Sequence, residues 1–318
     1  MSDRRVFARE RWTPRRIAGF AVRFAWLQLQ SLVFAAVIFA AIAVTSVVSL
    51  PIPRYDALLI IGVALTLGLW WAGWESGREV AVICAFHLLG VTMEFFKVHA
   101  GSWEYPGAAY TKVAGVPLYA GFMYAAVGSY IVQAWRRAEL RVSHFRPLPM
   151  TILAVAAYLN FFTHHWIWDL RWLIAVLFVI EMRRTMVHFT VGTHRYFMPL
   201  AVSFVAIGFG LWIAENAATF MGAWEYPNQR EIWEAVHVGK FGSWALLVSL
   251  SFVLVATIKR FEGELYGVHG QRPTVETIAD ERIAADILTE EPNSRATVAE
   301  ENLRNDDAAD EDIVDEPA

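Results

Sequence analysis

One cysteine, Cys84, in a chain of 318 residues excludes an intramolecular disulfide. Charge is also scarce. Asp, Glu, Lys and Arg make up 18% of the residues while 56% are hydrophobic, and the mean hydropathy is +0.38, a balance that water-soluble domains do not usually carry. A phosphate-cradling glycine loop, a nucleophile elbow and a dinucleotide fingerprint are all missing, so nucleotide chemistry has no support and nucleic acid is not an expected partner. HExxH and comparable metal spacings are missing too. His165 and Asp169 stand at i and i+4, but with His99, His237 or a glutamate they would make an incomplete ligand set, so neither metal nor cofactor is expected. The first hydrophobic run has no small-residue cleavage site before a soluble domain and reads as a retained span.

What is present is apolar length. Windows of about 20 apolar residues, enough for a helix to cross about 30 Å of hydrocarbon, run approximately from Phe20 to Leu50, Ala57 to Gly73, Glu79 to Lys97, Val113 to Trp135, Leu148 to Phe162, Ile167 to Glu181, Phe197 to Phe220 and Val238 to Ile258. The expected fold is therefore an all-α polytopic membrane protein of about eight transmembrane helices. The fifth and sixth windows are short, and the HHWIWDLRW junction leaves seven spans plus a re-entrant segment as the alternative. Arg and Lys concentrate in residues 1–19, in RRAELRVSHFR from Arg136, in RRTMVHFTVGTHR from Arg183 and at Lys259 and Arg260. The positive-inside rule then puts both termini in the cytoplasm of a bacterial inner membrane. Residues 261–318 carry 17 of the 31 acidic residues but four basic ones, so a basic membrane body of residues 20–260 precedes an acidic tail. Such a tail cannot bury enough apolar surface to offset ordering and is expected to be largely disordered, with a cytoplasmic partner as the alternative role.

GSWEYP begins at Gly101 and GAWEYP at Gly222, and one offset of 121 residues also carries Glu94 onto Glu215 and Gly121 onto Gly242 without a gap. This predicts an internal duplication into repeats of about 20–135 and 148–258. Four spans per unit is an even number, so the two repeats would be parallel, related by an axis along the membrane normal.

Glu94 lies about 22 Å along a helix from Glu79, in the outer third of the hydrocarbon, and Glu215 takes the equivalent place. Ionisable groups at that depth are costly and usually face a bundle interior. Two readings stand open. Either the glutamates form a reactive pocket, or each pins its own WEYP turn by accepting hydrogen bonds from Trp and Tyr. Lys97 at i+3 gives Glu94 a counter-charge that Ala218 does not give Glu215, which would make Glu215 the proton donor and Glu94 the base or cation stabiliser. Candidate substrate-binding residues at the same level are His99, Trp103, Tyr105, Asn160, His165, Asp169, Asn216, Trp224, Tyr226, His237 and Lys240. The aromatics could hold a carbocation, or belong to the interfacial belt.

The stretches MEFFKVHAGSWEYPGAAYTKVAGVPLYAGFMYAAVGSY and AENAATFMGAWEYPNQ resemble the bacterial membrane family catalogued as domain of unknown function 817, over roughly residues 20 to 260. That resemblance implies an integral membrane protein without an established activity. A glutamate followed by Gly, a Tyr-bearing loop and GVPL before an apolar span is similar to carotenoid hydratases and small membrane lycopene cyclases, a likeness that implies buried carboxyls protonating a polyene end. The leading expectation is acid-base chemistry of hydratase, cyclase or isomerase type on an isoprenoid or other lipid, with membrane lipid and a hydrophobic small molecule as partners. A transporter or lipid-binding module and a structural membrane subunit are the alternatives.

Overall fold

A computed structural model of the chain describes residues 13–164 and 166–261. The acidic tail and all but the last residues of the basic N-terminus lie outside the described residues. The chain is mainly helical: α1 (Pro14–Ser31), α2 (Val33–Val47), α3 (Arg54–Trp71), α4 (Gly77–His99), α5 (Gly121–Arg137), α6 (Pro147–Thr163), α7 (Arg171–Met182), α8 (Leu200–Phe220) and α9 (Gly239–Phe261).

Among the described residues, α3, α4, α8 and α9 are each long and apolar enough to cross a membrane. The pair α1 and α2, bent by 69°, counts as a fifth candidate span. The single run expected over Phe20 to Leu50 is thus two helices. At the break Ser31 Oγ donates back to Leu27 O at 2.9 Å, a bond that bends helices. Helices α5 and α6 have 17 residues each and α7 has 12. At 1.5 Å per residue α7 is about 18 Å long, short of a full crossing. It nevertheless exposes Trp172, Leu173, Val176, Val179 and Ile180, an apolar outward face suited to lipid rather than water.

The all-α expectation needs correction. Strands β1 (Lys112–Val113) and β2 (Val116–Pro117) form a small hairpin, and β3 (Arg141–Ser143), β4 (Met186–Val191) and β5 (His194–Pro199) form an antiparallel sheet in the order β3-β4-β5. The basic stretch read as a loop hides a period of two: Val187, Phe189 and Val191 are buried while their neighbours are not. Gly192, at φ +64°, turns the chain between β4 and β5. The aromatic residues of α1 pack against this sheet, Phe20 on Tyr196 and Phe24 on Phe189.

Helix α4 packs along α5, and α8 along α9; α2 lies on α3 and α5, and α6 on α7 and α9. Close approach along α4 and α5 depends on glycine, because a Cβ at Gly90 would come within 2.4 Å of the Tyr124 ring. Helices α4 and α8 end alike. Gly101 (φ +69°) and Gly222 (φ +66°) adopt the left-handed conformation, and Ser102 N and Ala223 N return to Lys97 O and Ala218 O, each at 2.9 Å. This is the glycine-terminated cap that turns a chain sharply off a helix.

The two turns then meet. Glu104 N donates to Glu225 O and Glu225 N to Glu104 O, both at 3.0 Å, a reciprocal antiparallel bridge. Arg230 grips the Glu104 carboxylate through both oxygens, at 2.8 and 2.9 Å. Arg54 adds a second tie by donating to Ile42 O in α2 and to Met221 O and Gly222 O after α8, at 2.8 to 2.9 Å. The C-terminal ends of α4 and α8 therefore lie at one end of the bundle.

Arg54→Ala should destabilise the protein by about 2 kcal/mol, since carbonyls lose a charged donor. Thermal unfolding in detergent should show a lowered midpoint, and Arg54→Lys, which cannot reach all three carbonyls, should recover only part of it.

Candidate functional site

Glu94 and Glu215 are 4% and 3% exposed, so each needs internal donors. The WEYP turns supply three of them, and α5 and α9 one each. Trp103 Nε1 and Tyr105 Oη donate to Glu94 Oε2 at 2.7 and 2.9 Å, and Tyr124 Oη donates to Oε1 at 2.8 Å. Tyr226 Oη donates to Glu215 Oε1, and Trp244 Nε1 to Oε2 at 2.8 Å. Gly90 is what lets Tyr124 reach its carboxylate, because the ring lies over the glycine one turn before Glu94. Burial first, and then the nearby carboxylate, push the Tyr105 and Tyr226 phenols well above their ordinary range. Both remain donors at any working pH.

The two clusters touch. Trp103 and Tyr226, one from each turn, stack edge to face with centroids 6.0 Å apart. Lys240 Nζ lies 5.4 Å from the Trp103 ring centroid and 4.6 Å from that of Tyr226, within cation-π range. Glu94, Glu215 and Lys240 are the charged residues, among those described, that line one cavity of about 740 Å³, within the range of small-molecule sites. Its wall along α5 runs from Tyr124 to Ala138, about 21 Å. Leu140, Phe189 and Met198 close its far end at the sheet. The result is a long apolar chamber with two carboxyls, one ammonium and several π faces at one end.

Not every expected residue joins this site. Lys97, expected as the counter-charge of Glu94, donates instead to Phe161 O at 2.7 Å and lies 3.7 Å from that ring. Among the described residues it is not a donor to Glu94. One helical turn does not guarantee a pair when the long side chain finds a carbonyl on α6, and Lys240 is the cation that reaches the pocket. Asn160 bonds Asp169 Oδ1 and Leu170 N, and Asp169 holds Arg171 at 2.6 Å, so these form a separate knot at the α6–α7 junction. Burial pushes the Asp169 carboxyl up, but its bonds from Asn160 and Arg171 outweigh that and hold it below the ordinary value. Asn216 ties Val236 N to its own helix through Trp212 O. His237 is exposed and accepts from Gly239 N at the start of α9, and His99 is exposed at the end of α4. Trp224 lines the cavity. His165 lies outside the described residues. Among the described residues no cluster of three His, Cys, Asp or Glu side chains could hold a metal.

Trp244 was not anticipated. Tyr124, its counterpart as a donor, maps under the 121-residue offset onto Ala245, one position away. A strict registration therefore passes over it.

The family model described as "Protein of unknown function (DUF817)" matches residues 21–252. The chain is 52% identical over 244 residues to "Uncharacterized protein YoaT" of Bacillus subtilis (strain 168), an alignment covering 75% of this chain and 91% of the relative. No solved structure matches the chain. The likeness to carotenoid hydratases and lycopene cyclases gains no support from these matches.

The bridged turns have a pH dependence of their own. Burial first, then contact with the Glu104 carboxyl and its charge, raise the Glu225 carboxyl above its ordinary value, against the pull of Arg230. A raised carboxyl binds its proton more tightly in the folded state than in the unfolded one. The stability it contributes is therefore present at low pH and is lost as pH rises from the ordinary carboxylate range through the raised value. The melting midpoint in detergent, followed from about pH 4 to about pH 8, should show such a falling component, and Glu225→Gln should flatten it. An unchanged slope in the variant would place the titration elsewhere.

Proposed function

The chain belongs to the DUF817 family, and on that premise we propose that it is an integral inner-membrane enzyme using Glu94 and Glu215 for acid-base chemistry on an isoprenoid or other lipid. The observation that carries this reading is that two buried carboxyls from different helices open into one long apolar cavity. Glu94 accepts three hydrogen bonds and Glu215 two, so Glu215 has the freer oxygens and is the proton donor. Its proton goes to one carbon of a terminal double bond, leaving a carbocation faced by Trp103 and Tyr226. Water adds to that cation and surrenders a proton to Glu94, giving hydration; loss of a neighbouring C–H proton to Glu94 gives isomerisation, and attack of a second double bond of the same chain on the cation, closing a C–C bond, followed by such a proton loss gives cyclisation. Lys240, against the Trp103 and Tyr226 rings, is the cation at this end of the cavity.

The proposal extends to the architecture. Helices α2 to α5 and α6 to α9 repeat the same packing order, and the caps after α4 and α8 repeat the same bonds. This supports two parallel four-helix repeats, eight membrane-embedded helices of which α7 is the short one, with α1 as the cytoplasmic-side arm of a bent first span, both termini in the cytoplasm and both WEYP turns outside. The acidic tail then lies in the cytoplasm, where a protein partner could meet it. A purely structural role is favoured by one observation, that all four carboxylate oxygens already have donors.

Glu215→Gln should abolish the lipid conversion while the variant folds, because Gln keeps volume but delivers no proton. The measurement is the membrane-lipid profile of a deletion strain complemented with each variant, beside infrared difference spectra of the purified proteins. If Glu94→Gln and Glu215→Gln lower the melting midpoint alike and leave the lipid profile unchanged, the glutamates are structural pins. For topology, cysteines at exposed Tyr110 and Ile232, in a Cys84→Ser background, should react with an impermeant maleimide in intact cells, while one at Arg183 should not. The reverse pattern would invert the orientation.

A further inference from the structure

The cavity is not sealed along its length. Leu29, Leu32 and Ala36 on the α1–α2 side and Ala206, Gly210 and Ile213 on α8 both line it and are exposed. They are the two lips of a lateral mouth. The bend between α1 and α2 falls at Leu32, on one lip. On the other, a Cβ built on Gly210 meets nothing within 4 Å, so the glycine leaves an opening rather than serving a close helix contact. At the turn end α2 and α8 are drawn together by Arg54; the mouth lies below that tie.

Its depth is informative. Gly210 has ten residues of α8 on either side, which puts it about 15 Å from each end of the helix, at the middle of the hydrocarbon. None of the six lip residues is charged or polar. A molecule entering here must pass through the bilayer centre, where a charged headgroup costs several kcal/mol. The cavity's charged residues lie away from the mouth, at the turn end, where Glu94 and Glu215 are held by their aromatic donors and Lys240 lies against the Trp103 and Tyr226 rings.

We infer that the ligand of this cavity is an uncharged long-chain lipid drawn sideways from the bilayer centre between α2 and α8, its reactive end passing toward Glu94 and Glu215. Charged lipids such as fatty acids and phospholipids are excluded by the route, not by the volume. The assignment deepens the acid-base reading and rests on it only for what the two glutamates then do.

The test uses the full-length protein in nanodiscs and retinol, an uncharged polyene alcohol, as probe. Trp244 and Trp103 at the cavity end should transfer excitation to bound retinol, and palmitate and dioleoylphosphatidylglycerol should not compete. Gly210→Phe, which plugs the mouth at a position with open space, should weaken the transfer by about tenfold or more. Val205→Phe, exposed on the same helix but outside the cavity, should not. Effective competition by palmitate, or a Gly210→Phe protein that binds retinol as the parent does with an unchanged melting midpoint, overturns the inference. Repeating the titration with Glu215→Gln separates the two proposals. Retinol binding retained in a protein whose cellular lipid profile is unaffected by Glu215→Gln removes the acid-base chemistry and leaves lateral entry standing; lost conversion in Glu215→Gln without retinol binding by the parent does the opposite.

Discussion

A carboxyl group buried away from water must find donors inside the protein, and much of the turn end of this structure answers that requirement. Glu94 and Glu215 sit near the ends of apolar helices, where water does not reach them freely. The chain therefore reverses sharply at a glycine and brings back an indole and a phenol, or a phenol alone, to the carboxylate it has just passed. Helix termination, loop conformation and the position of the next helix all follow from that return. Removing Tyr124, Tyr226 or Trp244 would leave a buried carboxylate oxygen unpaired, which is dearer than the bond itself.

The same solution used twice creates something neither copy has alone. Each turn presents an extended backbone edge, and the two edges satisfy one another through the Glu104–Glu225 bridge. Trp103 and Tyr226 then interleave, so the donors of one carboxyl pack against the donors of the other. A pocket with two acids arises at the seam, together with Lys240, whose stem comes from the start of α9. The α8–α9 side of the molecule supplies the cation as well as its glutamate, and this makes the two acids chemically unequal although their turns are nearly alike.

The parts of this site that were legible in the sequence are those fixed by local chemistry. The spacing from each glutamate to its WEYP turn is short, so Trp103, Tyr105 and Tyr226 reach their carboxyls as the repeated motif suggests. Residues placed by depth alone fared worse. Asn160, Asp169 and Asn216 are expected near one level, yet each is spent on helix junctions, because depth says nothing about which way a side chain faces. Lys97 shows the limit of the one-turn rule, since a flexible ammonium goes to whichever acceptor is best placed. The sheet was hidden for a different reason. Arg, His and Thr on its outward positions mask the alternating Val and Phe beneath, and the mixed composition reads as a connecting loop. The cavity had no signature, being lined by apolar residues brought together from α1, α2, α5, α8 and α9.

The reciprocal bridge between the turns has a mechanical consequence. Machines that move cargo across a membrane by rocking one half against the other must open and close at both faces in alternation. Here the turns after α4 and α8 are stitched together by paired backbone bonds and a bidentate guanidinium, and Arg54 ties α2 to the end of α8. Rocking would have to unpick all of these in every cycle. A clasp of that kind binds α2 to α8 at the turn end, and among the described residues no hydrogen bond joins the two lips of the mouth below it.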